Sequence, residues 1–171
     1  MPPLKKILIV DDEADIVALL KELLAEYDII TASDGKAALE QAMNAKPDLI
    51  ISDIQMPRMT GLEMLTELRK KGYAIPVIFV TAFSDIQKVR VAWKLGAFDF
   101  IDKPLDFTAL SALIQKAFEF GQVVQNILPD TIPPANITLS LPWTLFQGIV
   151  RSAAAANLSV EQWLEKHVQS K

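Results

Sequence analysis

The chain has 171 residues, 51% apolar and 22% charged, which is enough for one domain of ordinary size with a packed core plus a small appendage. It contains no cysteine, which excludes a disulfide framework and thiolate metal sites. The net charge of −4 lies wholly in the first 125 residues, because residues 126–171 hold three acidic and three basic groups; neither part carries the basic field of a strong non-specific nucleic-acid binder. No apolar run approaches the roughly 18 residues of a membrane span, and Met1-Pro2-Pro3-Leu4-Lys5-Lys6 does not read as a signal peptide. A cytoplasmic protein without membrane association is expected.

From Lys5 to about Gln125, short β-branched runs alternate with amphipathic stretches. Ile7-Leu8-Ile9-Val10 reads as a first strand, and Glu13 to Glu26 as a helix with Ile16, Leu19, Leu20, Leu23 and Leu24 at helical spacing. Ile29 to Ala32 reads as a second strand, followed by the turn Ser33-Asp34-Gly35 and a helix holding Ala38, Leu39 and Ala42. Pro47 breaks that helix, and Leu49 to Asp53 is the third strand. Gly61 to Lys71 reads as a helix with Leu62, Leu65 and Leu68 inward, stopped by Gly72. Val77 to Val80 is the fourth strand, Ser84 to Leu95 a helix, Phe98 to Ile101 the fifth strand, and Asp106 opens a last helix reaching about Gln125. Five βα units with nearly continuous apolar strands predict a parallel sheet covered on both faces, with right-handed crossovers.

In such a sheet, ligands bind beyond the carboxyl ends of the strands. Asp11 and Asp12, Asp53, Thr81 and Lys103 all stand there, so three acids, a hydroxyl and a lysine converge on one edge. Magnesium takes oxygen ligands in octahedral geometry, and crowded carboxylates gain from a cation between them. Asp53 can then attack a phosphoryl donor and form an aspartyl phosphate, with Lys103 as a point charge and Thr81 as a hydroxyl donor. Each residue alone has a plainer reading: Asp11-Asp12 or Thr81 as helix caps, Asp53 as a turn residue, Lys103 as a solvated charge, Phe100 as core. Their joint occurrence argues for the site.

The stretches Asp11-Asp12-Glu13, Asp53-Ile-Gln-Met-Pro-Arg-Met-Thr-Gly61, Thr81-Ala82 and Lys103-Pro104 resemble the receiver domain of two-component response regulators. The resemblance covers residues 5 to about 122 and implies a flavodoxin-like α/β fold, a doubly wound five-stranded parallel sheet. It implies that Asp53 is the phosphoacceptor, that Asp11, Asp12, Asp53 and the backbone carbonyl of Gln55 serve Mg2+, and that Thr81, Phe100 and Lys103 form the switch. It also implies a cis bond before Pro104, and a sensor histidine kinase or phosphotransfer protein as phosphoryl donor. Two departures stand out. The turn Glu26-Tyr27-Asp28 is about two residues short, and Phe100 replaces a commoner Tyr. Gln55 and Phe83 are expected to flank the phosphate and slow the entry of water.

Residues 1–125 thus form the expected receiver, and 126–135, containing Pro129, Pro133 and Pro134, an extended linker. Beyond it, Ile137-Thr-Leu-Ser-Leu141 alternates like a strand, Pro142 opens a helix to Ala156, and Ser159 caps a second helix. This strand–helix–helix unit, residues 136–171, is too small to bury a core alone and is expected to form a homodimer. It resembles the ribbon-helix-helix fold of small dimeric repressors. In that family a paired ribbon enters the major groove, which would face Asn136, Thr138 and Ser140 toward the bases and set the amides of Ser159 and Val160 against a phosphate. The ribbon carries no Lys or Arg, so a dimerisation module without DNA contact is the alternative. The chain is therefore expected to be a phosphorylation-controlled transcriptional regulator, or else a dimeric adaptor acting through protein contacts. It is not expected to be an enzyme, because no second catalytic cluster follows residue 125.

Overall fold

A computed structural model of the chain describes residues 4–82 and 86–127. Within them run β1 (Lys6–Val10), α1 (Ala14–Leu23), β2 (Asp28–Ala32), α2 (Gly35–Ala45), β3 (Leu49–Asp53), α3 (Gly61–Lys70), β4 (Val77–Ala82), α4 (Ile86–Leu95), β5 (Asp99–Lys103) and α5 (Phe107–Ile127). The five strands are parallel in the order β2-β1-β3-β4-β5, the doubly wound arrangement expected.

Side chains alternate across the sheet and divide the core into two layers. Ile7, Ile9, Ile51, Ile78 and Val80 pack with Leu20 and Leu24 beside α1 and with Leu110 and Ile114 of α5. Leu8, Val10, Ile50 and Phe79 pack on the opposite face against Ala38 and Ala42 of α2, Met64, Leu65 and Leu68 of α3, and Ala92 of α4. Because the central strands are buried on both faces, they read as unbroken apolar runs rather than as alternation.

Helix ends follow local chemistry. Thr60 and Glu63 close a capping box on α3, and Asp106 caps α5 by accepting from the Thr108 and Ala109 amides at 2.8 and 3.1 Å. At the far end of α3, Arg69 donates to the carbonyls of Tyr73, Ile75 and Gly96, tying α3 to the close of α4; burial lowers its pKa to about 9, which leaves it charged at neutral pH.

Several boundaries differ from expectation. Helix α1 ends at Leu23 rather than Glu26, because the Tyr27 amide bonds the Leu24 carbonyl and turns the chain into β2. Leu19 is exposed although it shares the helical spacing, since the buried stripe of α1 is centred on Leu20 and Leu24. No side chain caps α1: Glu13 stands at the cap position, and Asp11 accepts the Glu13 amide at 2.8 Å. Helix α5 continues to Ile127, past the expected end near Gln125. The remaining linker and the ribbon-helix-helix-like unit, with Asn136, Thr138, Ser140, Ser159 and Val160, lie outside the described residues, as do Phe83 and Ser84.

Candidate functional site

The strand ends deliver their polar residues to one place. Asp11 follows β1, Asp53 closes β3, Thr81 lies near the end of β4 and Lys103 closes β5. The Lys103 ammonium donates to Asp53 Oδ2 at 2.9 Å and to Glu13 Oε1 at 3.0 Å, and lies 3.5 Å from Asp11 Oδ2. The Lys103–Pro104 peptide is cis. On the other side of Asp53, the Gln55 amide donates to Oδ1 at 2.9 Å. Both carboxylate oxygens of Asp53 are therefore oriented.

Electrostatics inside this group are opposed. Burial pushes the Asp11 carboxyl above its ordinary pKa, against the stabilising Glu13 amide and Lys103 ammonium, and the charges of Asp53 and Glu13 push the same way. Burial also works against the Lys103 ammonium, but its bonds to Asp53 and Glu13 and the nearby Asp11 charge outweigh that and raise its pKa above the usual lysine value. One cation holds three carboxylates together.

Oxygen atoms of Asp11, Glu13 and Asp53 lie within 4.8 Å of one another. An all-carboxylate donor set in a partly buried pocket suits a hard divalent cation, so these residues fit Mg2+. Glu13, for which the sequence motif alone suggests no role, belongs to this group, and its place directly after Asp11-Asp12 is the signal that points to it. Asp12 is exposed and instead lines an open cleft of about 470 Å³ with Gln55, Met56, Pro57, Thr60 and Lys88.

The loop of residues 54–60 carries one wall of that cleft, and it is tightly held. Gly61 donates its amide to the Ile54 carbonyl at 2.9 Å, and the Ser52 hydroxyl donates to the Asp53 carbonyl at 2.7 Å. A Cβ on Gly61 would stand 2.2 Å from the Asp53 carbonyl oxygen, so only glycine lets α3 start this close to the site. A pair missed from sequence anchors the loop to its surroundings: Arg58 of the loop donates from Nε to Asp34 Oδ2 at 2.9 Å and makes a second contact through Nη2. Thr81 is buried and registers with Asp102, while Asp53 registers with Val80. Phe100 is half-buried, its ring 5.8 Å from Phe79 and 5.3 Å from Trp93 between centroids.

The family model of the response regulator receiver domain matches residues 7–115. The chain belongs to the response regulator receiver family. Receiver domains of this family bind Mg2+ at the phosphorylation site and interact with sensor histidine kinases or phosphotransfer proteins. Among curated relatives, the chain is 40% identical over 121 residues to the alkaline phosphatase synthesis transcriptional regulatory protein PhoP of Bacillus subtilis, covering 70% of this chain and 50% of that protein. It is 34% identical over 138 residues to the DNA-binding transcriptional regulator NtrC of Escherichia coli, covering 80% of this chain and 28% of that protein. The chain thus spans half or less of the length of these relatives. Among solved structures, a response regulator receiver domain protein from Clostridium thermocellum superposes with a TM-score of 0.66 at 32% identity, over 71% of this chain and 99% of that one. The signal receiver domain of an HD domain-containing protein from Pseudomonas fluorescens Pf-5 gives 0.71 at 25% identity, over 75% and 96%. Among the described residues no helix is long and apolar enough to cross a membrane.

Proposed function

We propose that Asp53 accepts a phosphoryl group from a sensor histidine kinase or phosphotransfer protein and that the phosphorylated chain regulates transcription. The observation that carries this reading is the Lys103 ammonium 2.9 Å from Asp53 Oδ2, set among Asp11 and Glu13 at the carboxyl edge of the sheet. An Asp53 oxygen bonds to phosphorus as the bond from phosphorus to the donor's imidazole nitrogen breaks, that nitrogen keeping the electron pair. Lys103 offsets the charge gathering on the phosphoryl oxygens, and the Thr81 hydroxyl donates to one of them. Asp11, Asp12, Asp53 and the Gln55 carbonyl are assigned to Mg2+, with Glu13 beside them; when bound, the ion neutralises carboxylate and phosphoryl charge. No separate enzymatic activity is assigned.

Phosphorylation then draws Thr81 toward the new oxygens and frees space for Phe100, whose ring touches Trp93 of α4. The result is a shift between two populations of the face formed by α4, β5 and α5. The transcriptional regulators among the relatives support an output in transcription, and the strand–helix–helix pattern of residues 136–171 assigns that output to a dimeric ribbon-helix-helix-like DNA-binding unit. The balanced charge of residues 126–171 favours a second reading, a dimeric adaptor that acts through protein contacts in the cytoplasm.

Incubation with Mg2+ and a small acyl phosphate, followed by intact mass, tests the site: one phosphoryl group is expected on the wild type and none on Asp53→Asn. Label retained by that variant sinks the assignment. Gel-shift titrations of the phosphorylated chain at several salt concentrations separate the outputs. Specific binding with a salt slope supports the DNA-binding unit, and a phosphorylated dimer without DNA binding supports the adaptor.

A further inference from the structure

We propose that Arg58 is a positioning residue for the phosphoacceptor site, acting through Asp34 on the loop of residues 54–60; this rests on Asp53 being the phosphoacceptor. Asp34 is only 5% exposed. Its Oδ1 accepts the amides of Lys36 and Ala37 at 2.8 and 2.9 Å, capping α2, and its Oδ2 is left for the Arg58 guanidinium. A buried carboxylate is tolerated only when paired and hydrogen-bonded, so Asp34 demands a cation at that point. The Ala37 amide and Arg58 together hold its carboxyl below the usual range.

The backbone makes the same connection. The Gly35 amide donates to the Met59 carbonyl at 3.0 Å, and a Cβ on Gly35 would stand 2.7 Å from that oxygen. Arg58 itself sits at φ 65°, a left-handed conformation that a non-glycine residue adopts only when its surroundings impose it. The guanidinium fork on Asp34 supplies that imposition. Three residues earlier in the chain, the Gln55 amide orients Asp53 Oδ1. The loop is thus fastened at one end to the turn between β2 and α2, and at the other end it presents Gln55 to the site. Without the fastening Arg58 relaxes out of its left-handed conformation, and the Gln55 amide and carbonyl shift against Asp53. Arg58 is otherwise exposed, with 64% of its side chain open to solvent, so its part in the fold's core is small.

The test measures Mg2+ affinity of the full chain by titration calorimetry, with hydrogen exchange of the Gln55 amide followed by NMR in the cation-free protein. Asp34→Asn keeps the helix cap and removes the charge, and Arg58→Gln keeps the stem and removes the fork. Each is expected to weaken Mg2+ binding about ten-fold, the lower range for residues that orient ligands, and to speed Gln55 exchange. The double variant is expected to be no weaker than either single one, and Arg58→Lys to fall between wild type and Arg58→Gln. Lower melting temperatures with wild-type Mg2+ affinity and wild-type Gln55 exchange would make the pair merely structural and overturn the proposal. If Asp53→Asn still takes a phosphoryl group from a small acyl phosphate, the phosphoacceptor reading fails instead, and Gln55 exchange alone decides for or against the fastening.

Discussion

The ring of Phe100 on β5 meets the indole of Trp93 on α4 with 5.3 Å between centroids, at an interplanar angle of 52°. Any movement of Phe100 therefore alters the surroundings of a natural fluorophore. With Trp143 and Trp163 replaced by Phe, emission reports Trp93 alone. Beryllofluoride with Mg2+ is expected to shift that emission, and Phe100→Ala is expected to abolish the shift while leaving phosphorylation of Asp53 intact. An unchanged shift in Phe100→Ala would remove Phe100 from the switch.

Lys103→Ala leaves Asp11, Glu13 and Asp53 facing one another without a cation. Phosphorylation by a small acyl phosphate is expected to slow about 10²-fold, the loss typical of one charge-stabilising donor, as read from a mass-spectrometric time course.

A divalent cation that binds the native carboxylates and not the unfolded chain stabilises the fold by mass action. Mg2+ is expected to raise the melting temperature of the wild type, a chelator to reverse the rise, and Lys103→Ala to show the larger rise because its three carboxylates have lost the ammonium that neutralised them. Equal melting curves with Mg2+ and with chelator would count against cation binding at this edge.

Asp34→Ala removes a helix cap and the partner of Arg58, and is expected to cost about 2 kcal/mol at neutral pH in urea unfolding. The folded carboxyl titrates below its usual 3.8, so its contribution is complete above that value and is lost as pH falls through the folded pKa. The gap between wild type and variant should accordingly narrow in acid below about 3.8 and stay constant above it.

Gly61→Ala places a Cβ 2.2 Å from the Asp53 carbonyl oxygen and 2.8 Å from Phe79 Cε1. Both neighbours belong to buried β-structure that cannot yield, so a loss of about 3 kcal/mol is expected, measured by chemical denaturation.

The strands were legible in the sequence because burial on both faces leaves unbroken β-branched runs, as in Ile7 to Val10 and Val77 to Val80. The site was legible because four of the five strand ends, those of β1, β3, β4 and β5, carry a polar residue at the same topological position, which placed Asp53 beside Lys103 across fifty residues of chain. Glu13, Asp34 and Arg58 were not singled out. A residue after two aspartates, an Asp in a turn and an Arg in a loop each have ordinary local explanations, and only tertiary pairing distinguishes them. The end of α1 was missed for a related reason: Leu23 and Leu24 continue the apolar pattern, while the turn that stops the helix depends on a backbone bond from Tyr27.

The residues of the candidate site crowd the edge where the strands finish, whereas the returns from helix to strand, at residues 24–27, 46–48, 71–76 and 96–98, run along the opposite edge. That separation gives the fold a sensitive rim and a permissive rim. Reporter peptides or affinity tags belong at Glu26, which is exposed and lies between elements, rather than in residues 71–76, whose Tyr73 and Ile75 carbonyls hold Arg69. A one-residue insertion inside β5, by contrast, would turn Lys103 to the other face of the sheet and disarm the protein.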